Sequence, residues 1–119
     1  MIRRSPPSPR QGIVLLHGRG GSGSDILGLM DLVSARDCAA IAPEAPQHSW
    51  WPTSFLAPER QIAAHVEAGI AHALDAVDDL LAQAIPRERI WLCGFSQGAC
   101  LALDTYARAG QGTVLVPVI

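Results

Sequence analysis

A chain of 119 residues with a net charge of −2 has room for one domain with a modest core. Hydrophobic content of 49% against 17% charged residues excludes a disordered chain. The charge leaves no footprint for nucleic acid or an anionic membrane surface, and no apolar run has the length of a membrane span.

Met1–Arg10 is locally basic through Arg3, Arg4 and Arg10 and holds three prolines, so residues 1–10 read as a disordered tail. The tail lacks the apolar core of a secretory signal, and Cys38, Cys93 and Cys100 show no metal-ligand spacing. Together these point to reduced thiols in a cytoplasmic protein. Gly12–Leu16 is a continuous apolar run, the pattern of a strand buried on both faces. His17–Gly23 is a glycine-rich turn, after which Ser24 can cap a helix over Asp25–Ala35. Cys38–Ala42 is a second apolar strand closed by Pro43, and Glu44–Pro58 is a proline-punctuated loop with two adjacent tryptophans.

Glu59–Ala84 is the longest helix candidate. Ile62, Val66, Ile70, Ala73, Val77 and Leu80 recur at helical spacing, and Pro86 ends it. His65 and His72 lie opposite that stripe with Asp75 and Asp79, which reads as a solvated face. Arg89–Cys93, Gln97–Ala109 and Thr113–Val118 supply a third strand, a helix and a fourth strand. Strands alternating with helices predict an α/β fold of about four mainly parallel strands.

Gly94-Phe95-Ser96-Gln97-Gly98 stands at the third strand-to-helix junction. This G-x-S-x-G pattern is that of a nucleophile elbow, where glycines on either side let strand and helix approach and the serine hydroxyl project above the sheet. Ser96 is then the candidate nucleophile, in a strained, positive-φ conformation. Sites of this design bind an oxyanion with two backbone N–H groups. Gln97 follows the nucleophile, and Arg19 or its neighbour Gly20 lies in the loop after the first strand. Trp50, Trp51 and Phe55 crowd a loop that could wall an apolar substrate pocket. His48 lies on that loop within conceivable reach of Ser96, whereas His17 closes its strand.

One loop admits a different class of function. Gly18-Arg19-Gly20-Gly21-Ser22-Gly23 is also a G-x-G-x-x-G between strand and helix. With Glu44 after the second strand, Gly18, Gly20 and Gly23 would form a dinucleotide-binding half-domain.

Several stretches in order resemble the phospholipase/carboxylesterase family of α/β-hydrolases, which includes acyl-protein thioesterases. They are Leu16-His17-Gly18-Arg19-Gly20, Ala42-Pro43-Glu44-Ala45-Pro46, Ser49-Trp50-Trp51-Pro52, Ser54-Phe55-Leu56-Ala57-Pro58 and Gly94-Phe95-Ser96-Gln97-Gly98-Ala99. The resemblance spans about Ile13 to Gly112. It implies Ser96 as nucleophile, oxyanion N–H groups from Gln97 and Arg19, and Trp50 and Trp51 along the substrate groove. It also implies two-step hydrolysis of a small-molecule carboxylic ester or thioester without a cofactor. In that family the triad aspartate and histidine follow the fourth strand, where this sequence stops. Residues 11–119 are therefore expected to be the N-terminal half of such a domain, weakly active or inactive alone. The apolar, β-prone end Val114–Ile119 is expected to leave a sheet edge that self-associates.

Overall fold

The computed structural model describes residues 1–28, 37–52 and 59–118. In chain order its elements are β1 (Ile2–Arg4), β2 (Gln11–Leu16), α1 (Gly23–Leu27), β3 (Cys38–Ala42), α2 (Glu59–Ala82), β4 (Ile90–Phe95), α3 (Gln97–Ala109) and β5 (Val114–Val118). One sheet runs in the order β1-β3-β2-β4-β5. β2 is parallel to β3 and to β4, and β4 is parallel to β5.

The expected four parallel strands are present, with a fifth added. Ile2–Arg4, read from sequence as disordered tail, pairs antiparallel with β3, Ile2 opposite Ala42 and Arg4 opposite Ala40. Local composition could not reveal this, because the strand exists only where the edge of β3 offers unpaired backbone groups. Ile2 packs on the α1 side of the sheet, and the Arg3 guanidinium donates to Asp79 of α2 at 2.7 Å. That pair is solvent-exposed, so it contributes little beyond about 0–1 kcal/mol.

Among the described residues the two faces of the sheet are covered unequally. Val14, Leu16, Ile41 and Leu92 point to one face, against Ile70, Ala73, Val77 and Leu80 of α2 and Leu101 and Ala102 of α3. The helical stripe seen in the sequence is thus the core stripe. Each fully buried leucine or isoleucine there contributes about 1.5–3 kcal/mol of transfer free energy. On the other face Leu15, Ala40, Ala42 and Cys93 lie beneath Ile26 and Leu27 of α1. The register Ile13–Trp91–Val114 puts Trp91 on this second face, and Trp91 and Val118 remain 38% and 39% exposed.

α1 begins earlier than expected. Its cap is Ser22, whose hydroxyl accepts from the Asp25 N–H at 3.1 Å, not Ser24. Gly23 sets that start: a Cβ there would stand 2.8 Å from the Ala42 carbonyl oxygen, so only glycine lets the helix enter against the end of β3. The rest of the helix expected over Asp25–Ala35 lies largely outside the described residues. At the far edge, the Ser96 N–H donates to the Val118 carbonyl at 2.9 Å. The polar groups of alternate residues point opposite ways, so those of Leu115 and Pro117 face outward from β5. Proline therefore occupies an outward position, where its missing N–H costs no ladder bond.

Candidate active site

The site forms where β2 and β4 end side by side. Leu16 pairs with Gly94, so the loop after each strand emerges at the same edge of the sheet. β4 turns into α3 through a single residue, Ser96, at φ 55° and ψ −114°. A non-glycine residue there is strained by about 1–3 kcal/mol. Ser96 is exposed, and its side chain does not cap the helix it precedes. The expected positive φ and exposed hydroxyl are both present.

The flanking glycines are required by contact. A Cβ on Gly94 would stand 2.0 Å from the Gly98 carbonyl oxygen, and one on Gly98 would stand 2.0 Å from that of Leu16. Gly94 allows the turn to close on itself. Gly98 allows the start of α3 to rest on the end of β2. The loop after β2 touches the elbow as well, since a Cβ on Gly18 would lie 3.4 Å from Ser96 Cβ.

A cavity of about 500 Å³ opens in front of the serine, lined by Arg19, Trp51, Ser96, Gln97, Ala99, Cys100 and Leu103. The Gln97 N–H is at the first position of α3, where a helix has no internal acceptor to offer it. Helix N-termini also carry partial positive charge, which favours an anion in front of them. Arg19 faces the same cavity. Gly20, the alternative donor, does not serve: its N–H is given to the His48 carbonyl at 2.6 Å. Its φ of 82° turns that amide toward the tryptophan loop.

Buried polar groups knit the three loops together. His17 is 2% exposed. Its Nε2 accepts from the Ala45 N–H at 3.0 Å, so Nδ1 carries the proton and donates to the Gly18 carbonyl at 2.8 Å. Its ring stacks on Trp50 at 5.0 Å between centroids, and Trp50 Nε1 donates to the His17 carbonyl at 2.8 Å. The side-chain oxygen of Gln97 accepts from the Trp50 N–H at 2.8 Å, and its Nε2 donates to the Trp51 carbonyl at 2.9 Å.

These contacts divide the sequence candidates. Ser96, Gln97, Arg19 and Trp51 meet around one cavity. Trp50, expected along the groove, is instead 2% exposed in the core, because its indole N–H finds its acceptor inward. Phe55 lies outside the described residues. His17 is fully engaged as a loop brace. His48 Nδ1 is 2.9 Å from the Gly21 carbonyl, and among the described residues no histidine is hydrogen-bonded to the Ser96 hydroxyl. Ala99, Cys100 and Leu103 were not singled out from sequence. Their signal was spacing: they follow Ser96 at i+3, i+4 and i+7, one face of α3. Burial pushes the Cys93 thiol above its ordinary value, and burial followed by the Asp37 charge does the same for Cys38.

The dinucleotide alternative fails on topology. In a dinucleotide-binding half the third parallel strand lies beyond the second. Here β4 pairs with β2 on the side away from β3. The Gly20 N–H is also already satisfied by protein.

A phospholipase/carboxylesterase family model matches residues 2–113. Among solved structures, a phospholipase/carboxylesterase from Dyadobacter fermentans is 38% identical, with a TM-score of 0.81 over 90% of this chain and 52% of that one. Esterase PE8 is 31% identical, with a TM-score of 0.66 over 90% of this chain and 56% of that one. Acyl-protein thioesterase 2 from Zea mays, at 24% identity, shares the fold, with a TM-score of 0.66 over 95% of this chain and 55% of that one. The chain spans about half the length of these structures. With a match over nearly all its residues, the chain belongs to the phospholipase/carboxylesterase family of α/β-hydrolases.

Proposed function

We propose that this chain carries the nucleophile half of a serine hydrolase acting on small-molecule carboxylic esters or thioesters. The observation that supports this most is Ser96 itself: an exposed hydroxyl on a strained turn, at a helix N-terminus, facing a cavity. Ser96 Oγ attacks the substrate carbonyl carbon. The alcohol or thiol leaves with the serine proton, and water then releases the acid and restores the hydroxyl. The N–H groups of Gln97 and Arg19 hold the oxyanion. Trp51 and the α3 face Ala99, Cys100 and Leu103 receive the acyl group. No cofactor takes part.

Among the described residues no histidine is hydrogen-bonded to Ser96 to serve as the base of this reading. The ring nitrogens of His17 bind backbone groups, and Nδ1 of His48 binds the Gly21 carbonyl. A serine without its histidine is an ordinary alcohol, and loss of triad members costs about 10⁴–10⁶ in turnover. These 119 residues are therefore expected to be weakly active or inactive by themselves. A cytoplasmic location belongs to the same reading, consistent with three unpaired cysteines. Among the described residues no helix is long and apolar enough to cross a membrane. A second copy of the chain is the expected partner, meeting the outer edge of β5 and the exposed Trp91 and Val118 beside it.

Prolonged treatment with an alkyl fluorophosphonate, followed by mass spectrometry, tests the nucleophile. Slow labelling confined to the Ser96 peptide and lost in Ser96→Ala is expected. Labelling that persists in Ser96→Ala refutes the assignment. Rapid turnover of a short-chain aryl ester, abolished by Ser96→Ala, refutes the expected inactivity.

A further inference from the structure

The proposed mechanism uses only the backbone N–H of Gln97. The side chain is buried, with 8% exposure, and is spent on the loop opposite. Its oxygen accepts from the Trp50 N–H, while its nitrogen donates to the Trp51 carbonyl and lies 3.5 Å from Ser49 Oγ. One carboxamide thus pairs with the N–H of one loop residue and the C=O of the next. Among the described residues it is this amide that supplies both bonds.

Trp51 sits between two hollows. On one side is the cavity of Ser96. On the other is a hollow of about 330 Å³ against α2, lined by residues including Gln47, Pro52, Gln61 and His65. A shift of the Trp51 backbone would merge or repartition the two. We propose that the Gln97 side chain is a positioning residue: it fixes Trp51 as the wall between these hollows and so sets the length of acyl group the serine cavity admits. The size-selection clause rests on the reading of that cavity as the acyl site; the clamp does not.

The residue type matters because both a donor and an acceptor are used. Methionine has similar length and neither function. Ionised glutamate accepts from Trp50 but sets a charge against the Trp51 carbonyl. Protonated glutamate restores both bonds, since its O–H donates and its carbonyl accepts. The other titratable groups near the amide and its loop are His17 and His72, both against the Trp50 ring, His65, which lines the second hollow with Trp51, and Arg19 and Cys100, which line the serine cavity.

The test uses a Trp91→Phe background, leaving buried Trp50 and half-buried Trp51 as emitters. Acrylamide quenching then reports Trp51. Gln97→Met should raise the quenching constant about twofold at every pH, as the loop loses both bonds and opens locally. Gln97→Glu should match Gln97→Met at pH 8. It should return to the parent value once its carboxyl is protonated, a group that titrates near about pH 4.3 in water. The parent measured at each pH removes the contributions of His17, His65, His72, Arg19 and Cys100. The clamp is overturned if Gln97→Met quenches like the parent, or if Gln97→Glu shows no return on acidification while the parent keeps its far-ultraviolet circular dichroism. If Gln97→Met does not fold, the Gln97→Glu pH series decides alone. Fluorophosphonates of increasing alkyl length test the size clause. A changed length preference in Gln97→Met supports it. An unchanged preference with altered quenching overturns it, and labelling that does not require Ser96 overturns the functional reading instead.

Discussion

Gly98→Ala examines the approach of α3 to the end of β2. The new methyl would stand 2.0 Å from the Leu16 carbonyl oxygen and 2.6 Å from that of His17, backbone atoms at and just past the end of the central strand. Ordinary contact begins near 3.4 Å, so α3 must withdraw by more than about 1 Å. Overpacking of this kind costs about 3 kcal/mol where backbone cannot yield. Alanine returns at most about 1 kcal/mol through helix propensity. The net expectation is a loss of about 2 kcal/mol, a fall of about 8 °C in melting temperature for a domain of this size. Gly28→Ala is the matched control. It has φ −59° and nothing within 4 Å of the new methyl, so it should be neutral or raise stability by up to about 1 kcal/mol. Thermal unfolding followed by circular dichroism reads both. A Gly98→Ala chain that melts at or above the parent temperature would mean that α3 does not rest on β2. The elbow geometry would then be wrong.

Other outcomes follow from the same structure. Ser96→Gly should raise the melting temperature by about 4 °C, since glycine relieves about 1 kcal/mol of strain at φ 55° while removing the hydroxyl; a lower melting temperature would show the side chain to be stabilising. The thiols of Cys93 and Cys38 are raised above 9.0 in the folded chain, so the folded state holds these protons more tightly. Their contribution should be complete below pH 9.0 and decline as pH rises beyond it, with a smaller decline in Cys93→Ala; equal alkaline slopes in the two chains would refute this. Trp91→Thr should shift size-exclusion elution toward monomer at a given concentration by removing the largest exposed apolar group of the half-covered face. If both chains elute alike at every dilution, that face does not associate.

The legible parts of this molecule were those written in local pattern. The apolar runs gave β2, β3 and β4, the α2 stripe gave its core face, and Gly94-Phe95-Ser96-Gln97-Gly98 placed the turn and its positive φ. The parts that depend on a partner elsewhere were not legible. β1 needs the free edge of β3, and three residues beside a proline-rich stretch carry no periodic signal. Trp50 and Trp51 are adjacent and chemically identical, yet one is core and the other wall. An inward acceptor, the His17 carbonyl, decides between them. Gly20 resembled an anion-binding amide until the His48 carbonyl, on another loop, was found to hold it.

The central place of β2 also shapes how the sheet is assembled during synthesis. Gly12 pairs with Ile90, and everything between them must be made before β4 can form. At about 5–20 residues per second, that interval lasts roughly 4–16 s. Throughout it the apolar strand Gln11–Leu16 has one edge open, with only β3 available beside it. Closing so long a loop is also slow compared with forming α2, whose contacts are local. The half-made chain therefore exposes one edge of an apolar strand for seconds, which makes this interval the natural point for a chaperone to intervene.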